Sequence, residues 1–231
     1  MGGNDARGRT PLSLVGQEPD LTFYTRQAGE RGGPVLVLGS ANGRVAWVLA
    51  RQGLSVLGVE PAERMVRAAE ERRASESAEV SDRTRFLTAD PRSLRLAERF
   101  PLVLAPQHAL GLMGSPEDLE SFFATVRHHL APGGTFAYDV LNPPREPPPH
   151  RDEEPGSAQE PRRPLFALHL RERKQPGSPL GIHRLKLRHF THEELEAAML
   201  ACGLTPRERY GRFDGKPFDP DDDLHIGVVE G

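Results

Sequence analysis

The chain has 231 residues and a formal net charge of −3, a size for one or two domains and a charge that counts against a nucleic-acid binder working by bulk electrostatics. Gly 23 and Pro 22 make up about a fifth of the chain, above the ~12% of average proteins, yet 37% hydrophobic residues suffice for a sizeable core and exclude wholesale disorder. The longest apolar runs fall short of the ~18 residues of a membrane span. The start MGGNDARGRT has no apolar signal core and, with Ala6, no myristoylation pattern. The single cysteine, Cys202, excludes an intrachain disulfide, so a cytoplasmic protein that binds no membrane is expected.

In chain order, residues 1–17 are Gly- and Arg-rich and are expected to form a flexible N-terminus. The spacing of Leu21, Tyr24, Thr25 and Ala28 predicts a helix over 19–31. The apolar run 35–38 reads as a strand buried on both faces. It ends in the turn cluster Gly39-Ser-Ala-Asn-Gly43, after which Asn42 is expected to cap a helix reaching Gln52. A second strand is predicted over 54–59, closed by Glu60, with Pro61 opening the next helix at its first-turn position. A third strand over 84–88 ends at Ala89-Asp90, and a fourth is predicted over 101–106. Ser115 then caps a helix with Pro116 first and Glu117 and Asp118 in its first turn. Pro132-Gly-Gly134 breaks that helix before a fifth strand over 135–141.

Ten of the 22 prolines fall between Pro143 and Pro179, a composition that packs no core and reads as an insertion. Two strands are predicted beyond its most proline-dense part, over 165–172 and 182–190. Thr191 and Glu194 form a capping-box pattern for the helix THEELEAAMLACG, and strands over 207–213 and 224–229 close the chain as a hairpin. Five strands alternating with helices predict a doubly wound α/β sheet.

Such sheets bind ligands beyond the carboxyl ends of their strands, where strand order reverses. Three predicted ends carry suitable groups. The Gly39–Gly43 loop lets backbone approach a ligand closely. Glu60, 17 residues beyond Gly43, can accept two hydrogen bonds from the cis hydroxyls of a ribose. Asp90 can receive an adenine amine. G-x-G-x-x-G is absent, which disfavours an NAD-linked oxidoreductase, and no Gly-Lys-Ser/Thr makes a P-loop. A nucleoside without phosphates fits best.

With these motifs the sequence resembles the class I S-adenosylmethionine (SAM)-dependent methyltransferases from about Leu21 to Val229. VLVLGSANGRVAWVLA is similar to the family's first motif, LSVLGVEPAERMVRAAEER to its second and FLTADPRSL to its third. FPLVLAPQHALGLM and HHLAPGGTFAYDVLNP resemble the fourth and fifth. The tail resembles small-molecule methyltransferases related to aminosugar and glycine N-methyltransferases. The resemblance implies a Rossmann-like sheet of seven mainly parallel strands with an antiparallel last strand, over residues 18–231 with a proline-rich insertion, 143–181, after the fifth strand. It implies SAM as cofactor, held by Gly39, Ala41, Gly43, Glu60, Asp90 and Tyr24, and methyl transfer to an N or O atom of a small molecule. The sequence departs from the first motif at Val37, where the family has an acid, and at Ala41, where it has a glycine. A second reading, a catalytically silent domain that binds a protein partner, rests on those two positions.

Methyl transfer needs an in-line acceptor and a base. His108 and Gln107, after the fourth strand, are the candidate catalytic residues, and Asp139 and Asn142, at the end of the fifth, are placed to face substrate. His128 and His129 read as a solvated helix face, Arg184, Lys186 and Arg188 as a basic strand face turned to water, and no ligand set is spaced for a metal.

Overall fold

A computed structural model describes residues 18–142, 165–172 and 181–231. The expected flexible N-terminus and most of the proline-rich insertion lie outside the described residues. The elements are α1 (Glu18–Arg31), β1 (Val35–Leu38), α2 (Arg44–Arg51), β2 (Val56–Glu60), α3 (Glu63–Arg73), α4 (Ala78–Asp82), β3 (Thr84–Thr88) and β4 (Phe100–Ala105). They continue with α5 (Pro116–His129), β5 (Leu130–Leu141), β6 (Leu165–Glu172), β7 (Gly181–Arg188), α6 (His192–Ala201), β8 (Thr205–Tyr210) and β9 (Leu224–Glu230).

Seven strands form one sheet in the order β3-β2-β1-β4-β5-β9-β8. The first five are mutually parallel and β9 runs antiparallel to both neighbours, as the resemblance implied. β6 and β7 form a separate antiparallel pair. Each central strand is apolar on both faces because helices cover both. Leu36, Leu38, Leu57 and Val103 pack towards Phe122, Phe123 and Met199 of α5 and α6. Val35, Val37, Leu102 and Leu104 pack towards Phe23, Tyr24 and Leu49 of α1 and α2. Strand order reverses between β1 and β4, so the loops after these two strands flank the switch point.

The caps of α5 and α6 follow the predicted chemistry. The Ser115 hydroxyl accepts from the Asp118 N–H, and Thr191 and Glu194 form a complete capping box. Three predicted starts or breaks are corrected. Asn42 does not cap α2, because Gly43 occupies the cap position in a left-handed conformation, φ 77°. Pro61 is not the first residue of α3, whose cap is Ala62; Glu60 takes the Ala62 N–H on its own carboxylate and delays the helix. Pro132-Gly-Gly134 does not separate α5 from a later strand. The chain becomes extended at Leu130, which pairs with Phe100, and residues between it and Thr135 bulge before Thr135 pairs with Leu102.

The outer strands are polar except at Phe86 and Leu87 of β3, of which Leu87 is exposed. On β8, Arg207, Glu208 and Arg209 are exposed, with Arg207 paired to Glu230 and Arg209 to Glu196. On β3, Arg85 pairs with Glu98.

Candidate functional site

The loop after β1 turns back against β2. The N–H groups of Gly39 and Ser40 both donate to the Val59 carbonyl, at 2.8 and 3.0 Å. Gly39 is left-handed, φ 73°, and a Cβ there would lie 2.8 Å from the Cβ of Ala109. Ala41 is also left-handed, φ 47°. Its N–H donates to Glu60 Oε2 at 3.0 Å, while the Ala62 N–H donates to Oε1 at 3.0 Å. Glu60 is almost wholly buried at the end of β2. A carboxylate has about four acceptor positions, so two remain for the hydroxyls of a cis-diol. The buried Ser40 hydroxyl in the same loop has no hydrogen-bond partner. These residues therefore fit a nucleoside ligand.

Asp90 follows β3, but its carboxylate is engaged. The Arg92 guanidinium donates to both oxygens, at 2.6–3.1 Å, and the Arg92 N–H adds a bond at 2.9 Å. Arg92 also reaches Asp118 at 2.6 Å. This guanidinium holds the Asp90 carboxyl below its ordinary range. An adenine amine would share Asp90 with a tethered cation.

A second group of side chains meets after β4 and β5. Ala105 is in register with Tyr138, so Asp139 stands one step beyond the end of β4, under the loop that follows. Gln107 and His108 are consecutive left-handed residues, φ 57° and 59°. The Gln107 N–H donates to Asp139 Oδ1 at 2.8 Å and the His108 N–H to Oδ2 at 3.4 Å. The hydroxyl of Tyr24, from α1, donates to the same Oδ1 at 2.5 Å. Burial first, and the Asp139 charge second, raise the Tyr24 phenol well above its ordinary value, so it keeps its proton. His108 is buried. Its Nδ1 lies 3.4 Å from Asp139 Oδ2, and neither ring nitrogen makes an aligned hydrogen bond. Burial lowers its pKa, against the opposing pull of Asp139 and Asp20, so the neutral imidazole is the form present at neutral pH. Asp20, also buried, forms a two-pronged ion pair with Arg44, the first residue of α2.

The expected site residues thus fall in two neighbouring groups. Gly39, Ala41, Gly43 and Glu60 build the β1–β2 corner, and Tyr24, Gln107 and His108 meet on Asp139. Asp90 stands apart on its arginine. Asn142 is committed elsewhere, because its amide donates to the carbonyls of Pro220 and Asp222 at 2.8 Å and pins the chain ahead of β9. The solvated face expected for His128 and His129 is corrected. His129 is buried, with Nε2 accepting from the Leu96 N–H at 2.9 Å and Nδ1 2.8 Å from the Thr125 carbonyl. The basic face of β7 is corrected at Arg188, which donates to the Gly114 carbonyl at 2.7 Å and lies over the Phe190 ring; the side chains of Arg184 and Lys186 lie outside the described residues. Among the described residues no three or more His, Cys, Asp or Glu gather as a metal site, and no helix is long and apolar enough to cross a membrane. The Asp20–Arg44 pair had no signal in the sequence, since its partners are 24 residues apart.

The strand order and the antiparallel β9 define the class I SAM-dependent methyltransferase fold. Residues 35–134 match a family described as a methyltransferase domain. The CcbJ methyltransferase from Streptomyces caelestis is similar in structure, at 23% identity and TM-score 0.73 over 93% of this chain and 96% of that one. So is a SAM-dependent methyltransferase from Clostridium acetobutylicum, at 15% identity and TM-score 0.70 over 94% and 93%. The glycopeptide N-methyltransferase MtfA complexed with SAM is similar at 20% identity and TM-score 0.66, over 90% and 86%. No curated protein sequence matches the chain.

Proposed function

We propose that this chain is a SAM-dependent methyltransferase acting on an N or O atom of a small molecule. The observation that carries this reading is the Glu60 corner. A nearly buried carboxylate at the end of β2, braced by two backbone N–H groups with two acceptor positions left, suits a ribose diol. MtfA, described as a glycopeptide N-methyltransferase, and CcbJ, described as a methyltransferase, have the same fold and support it.

Bound SAM supplies an activated methyl group on a sulfonium. The residues of the chain then have modest tasks. Glu60 orients the ribose, and the Gly39–Gly43 loop lets backbone approach the ligand. Neutral His108 accepts the proton released as an amine or hydroxyl takes the methyl group. Gln107 beside it offers an amide for the acceptor. Tyr24 walls the same end from α1.

Isothermal titration with SAM and S-adenosylhomocysteine tests the reading. Binding tighter than millimolar is expected. Glu60→Ala should weaken it roughly 10- to 150-fold, the equivalent of about 1.5–3 kcal/mol for hydrogen bonds to a charged group. Binding weaker than millimolar for both ligands overturns the reading. It would favour a silent domain that binds a protein partner, for which Val37, fully buried among apolar side chains where the family has an acid, is the supporting observation.

A further inference from the structure

The loop after β4 is held in an expensive conformation. Gln107 and His108 both have φ near +60° and neither is glycine. The left-handed region costs a residue with a Cβ about 1–2 kcal/mol, and such strain persists only where the surroundings over-determine it. Here the surroundings combine the turn that follows, where the Gly111 N–H donates to the His108 carbonyl at 2.8 Å, with one carboxylate. Asp139 receives the N–H groups of both strained residues and, on the same oxygen as Gln107, the Tyr24 hydroxyl from 115 residues away. Three segments converge on it: α1, the β4 loop and β5. The sheet register sets the convergence, since Ala105 pairs with Tyr138 and leaves Asp139 as the first side chain beneath the loop.

We propose that Asp139 is the positioning residue of this site: its carboxylate locks the left-handed Gln107–His108 pair and ties it to the N-terminal helix through Tyr24, so that the His108 imidazole is presented only while α1 is seated. The inference rests on the reading of His108 as the base, and deepens it. Asp139 acts through other groups and touches no reacting atom. Its buried position and its bonds to two backbone amides leave it aligning the loop, while the Tyr24 hydroxyl reports whether the helix is in place. A helix that lifts away withdraws one of three donors from a buried anion. The two bonds left on Asp139, one of them 3.4 Å long, then hold the strained pair with less support.

The charged and titratable groups around His108 are Asp139 on β5, Asp20 and Tyr24 on α1, and His189 at the end of the β6–β7 pair. Asp139 and Asp20 favour its protonation, burial opposes it, and His189 is itself pushed down to about 4, mainly by burial. Arg44, paired with Asp20, also acts on Tyr24 directly and opposes the rise of its pKa.

The test uses the full chain without ligand. Amide hydrogen exchange is followed at Gln107 and His108, and the His108 ring is titrated by NMR, its signal assigned by its loss in His108→Gln. In Asp139→Asn the two amides should exchange about tenfold faster, the scale of losing a hydrogen bond to a charged acceptor, and the His108 titration should move to lower pH. Unchanged exchange at both amides, or a His108 titration that stays or rises, overturns the proposal. If Asp139→Asn does not fold, Tyr24→Phe decides. It keeps the carboxylate and removes one donor, and faster exchange at Gln107 is expected; an unchanged rate overturns the link to α1. S-adenosylhomocysteine binding by the unaltered chain is measured in parallel. Its absence would remove the methyltransferase reading, whereas the exchange and titration results stand or fall without any ligand.

Discussion

Ala41 carries a left-handed backbone angle on a residue with a Cβ, in a loop where its N–H must reach Glu60. The angle costs alanine about 1–2 kcal/mol, and glycine would avoid that at an entropic cost of about 0.5–1 kcal/mol. Ala41→Gly is therefore expected to stabilise the protein by about 0.5 kcal/mol, seen as a higher denaturant midpoint with an unchanged slope. A lower midpoint would mean that the Ala41 methyl group packs usefully. At this scale the sequence was legible where one residue type has one local task. Glu60 at a strand end and Gly39 at a sharp turn could be seen from their neighbours. Asp139 could be placed at the end of β5, but its tie to Tyr24 and Gln107 depends on partners 115 and 32 residues away. The hold of Arg92 on Asp90 was closer in sequence, yet an acid followed two residues later by an arginine carries no signal of its own.

Elements were readable to the extent that their ends were set locally. β1 and β3 are bounded by turn residues, and their predicted limits of 35–38 and 84–88 agree with the structure. α6 announced itself by its capping box. The start of α3 was displaced because Glu60 captures the Ala62 N–H, a tertiary demand that overrides the preference of Pro61 for a first turn. The Pro132-Gly-Gly134 run reads as a breaker, whereas β4 accepts it as a bulge between two paired stretches of one strand. β9 holds an element-scale requirement of its own. A Cβ on Gly227 would fall 2.4–2.6 Å from the ring of Tyr138, which is buried on β5. Gly227→Ala is expected to cost about 1–3 kcal/mol by overpacking, measured by thermal or denaturant unfolding. A cost below 0.5 kcal/mol would show that the Tyr138 ring can swing aside.

For the whole molecule, acid is the sensitive direction. His189 and His225 are both buried and are held down to about 4, chiefly by burial, against an ordinary 6.5. The folded state thus binds fewer protons than the unfolded chain between these values. The stability they allow is fully present above about pH 6.5 and is lost as pH falls towards 4. Each is worth about 3 kcal/mol across that window, a large share of the 5–15 kcal/mol typical of a domain. His108 and His129, also lowered by burial, act in the same direction; the melting temperature should fall steeply between pH 6.5 and 4, and His225→Phe should remove part of the fall. A flat profile would show that both rings protonate without opening the core. The overall α/β class was evident from alternation alone, and the added β6–β7 pair from its apolar spacing, because both are patterns summed over many residues.

The polar outer strands have a consequence for how the protein behaves in a crowded solution. β8 lies at the margin of the sheet, the usual place for edge-to-edge growth, and its far end is already covered by the bridge of Tyr210 to Pro217 and the Phe218 N–H on the Arg209 carbonyl at 3.2 Å. A strand laid along it would have to dehydrate Arg207, Glu208 and Arg209, break the pairs to Glu230 and Glu196, and accept no hydrogen bond from the nitrogen of Pro206. The exposed Arg85–Glu98 pair meets any approach at β3 in the same way. The β8 margin of the sheet is thus guarded against fibrous extension by residues that contribute little to holding the fold together.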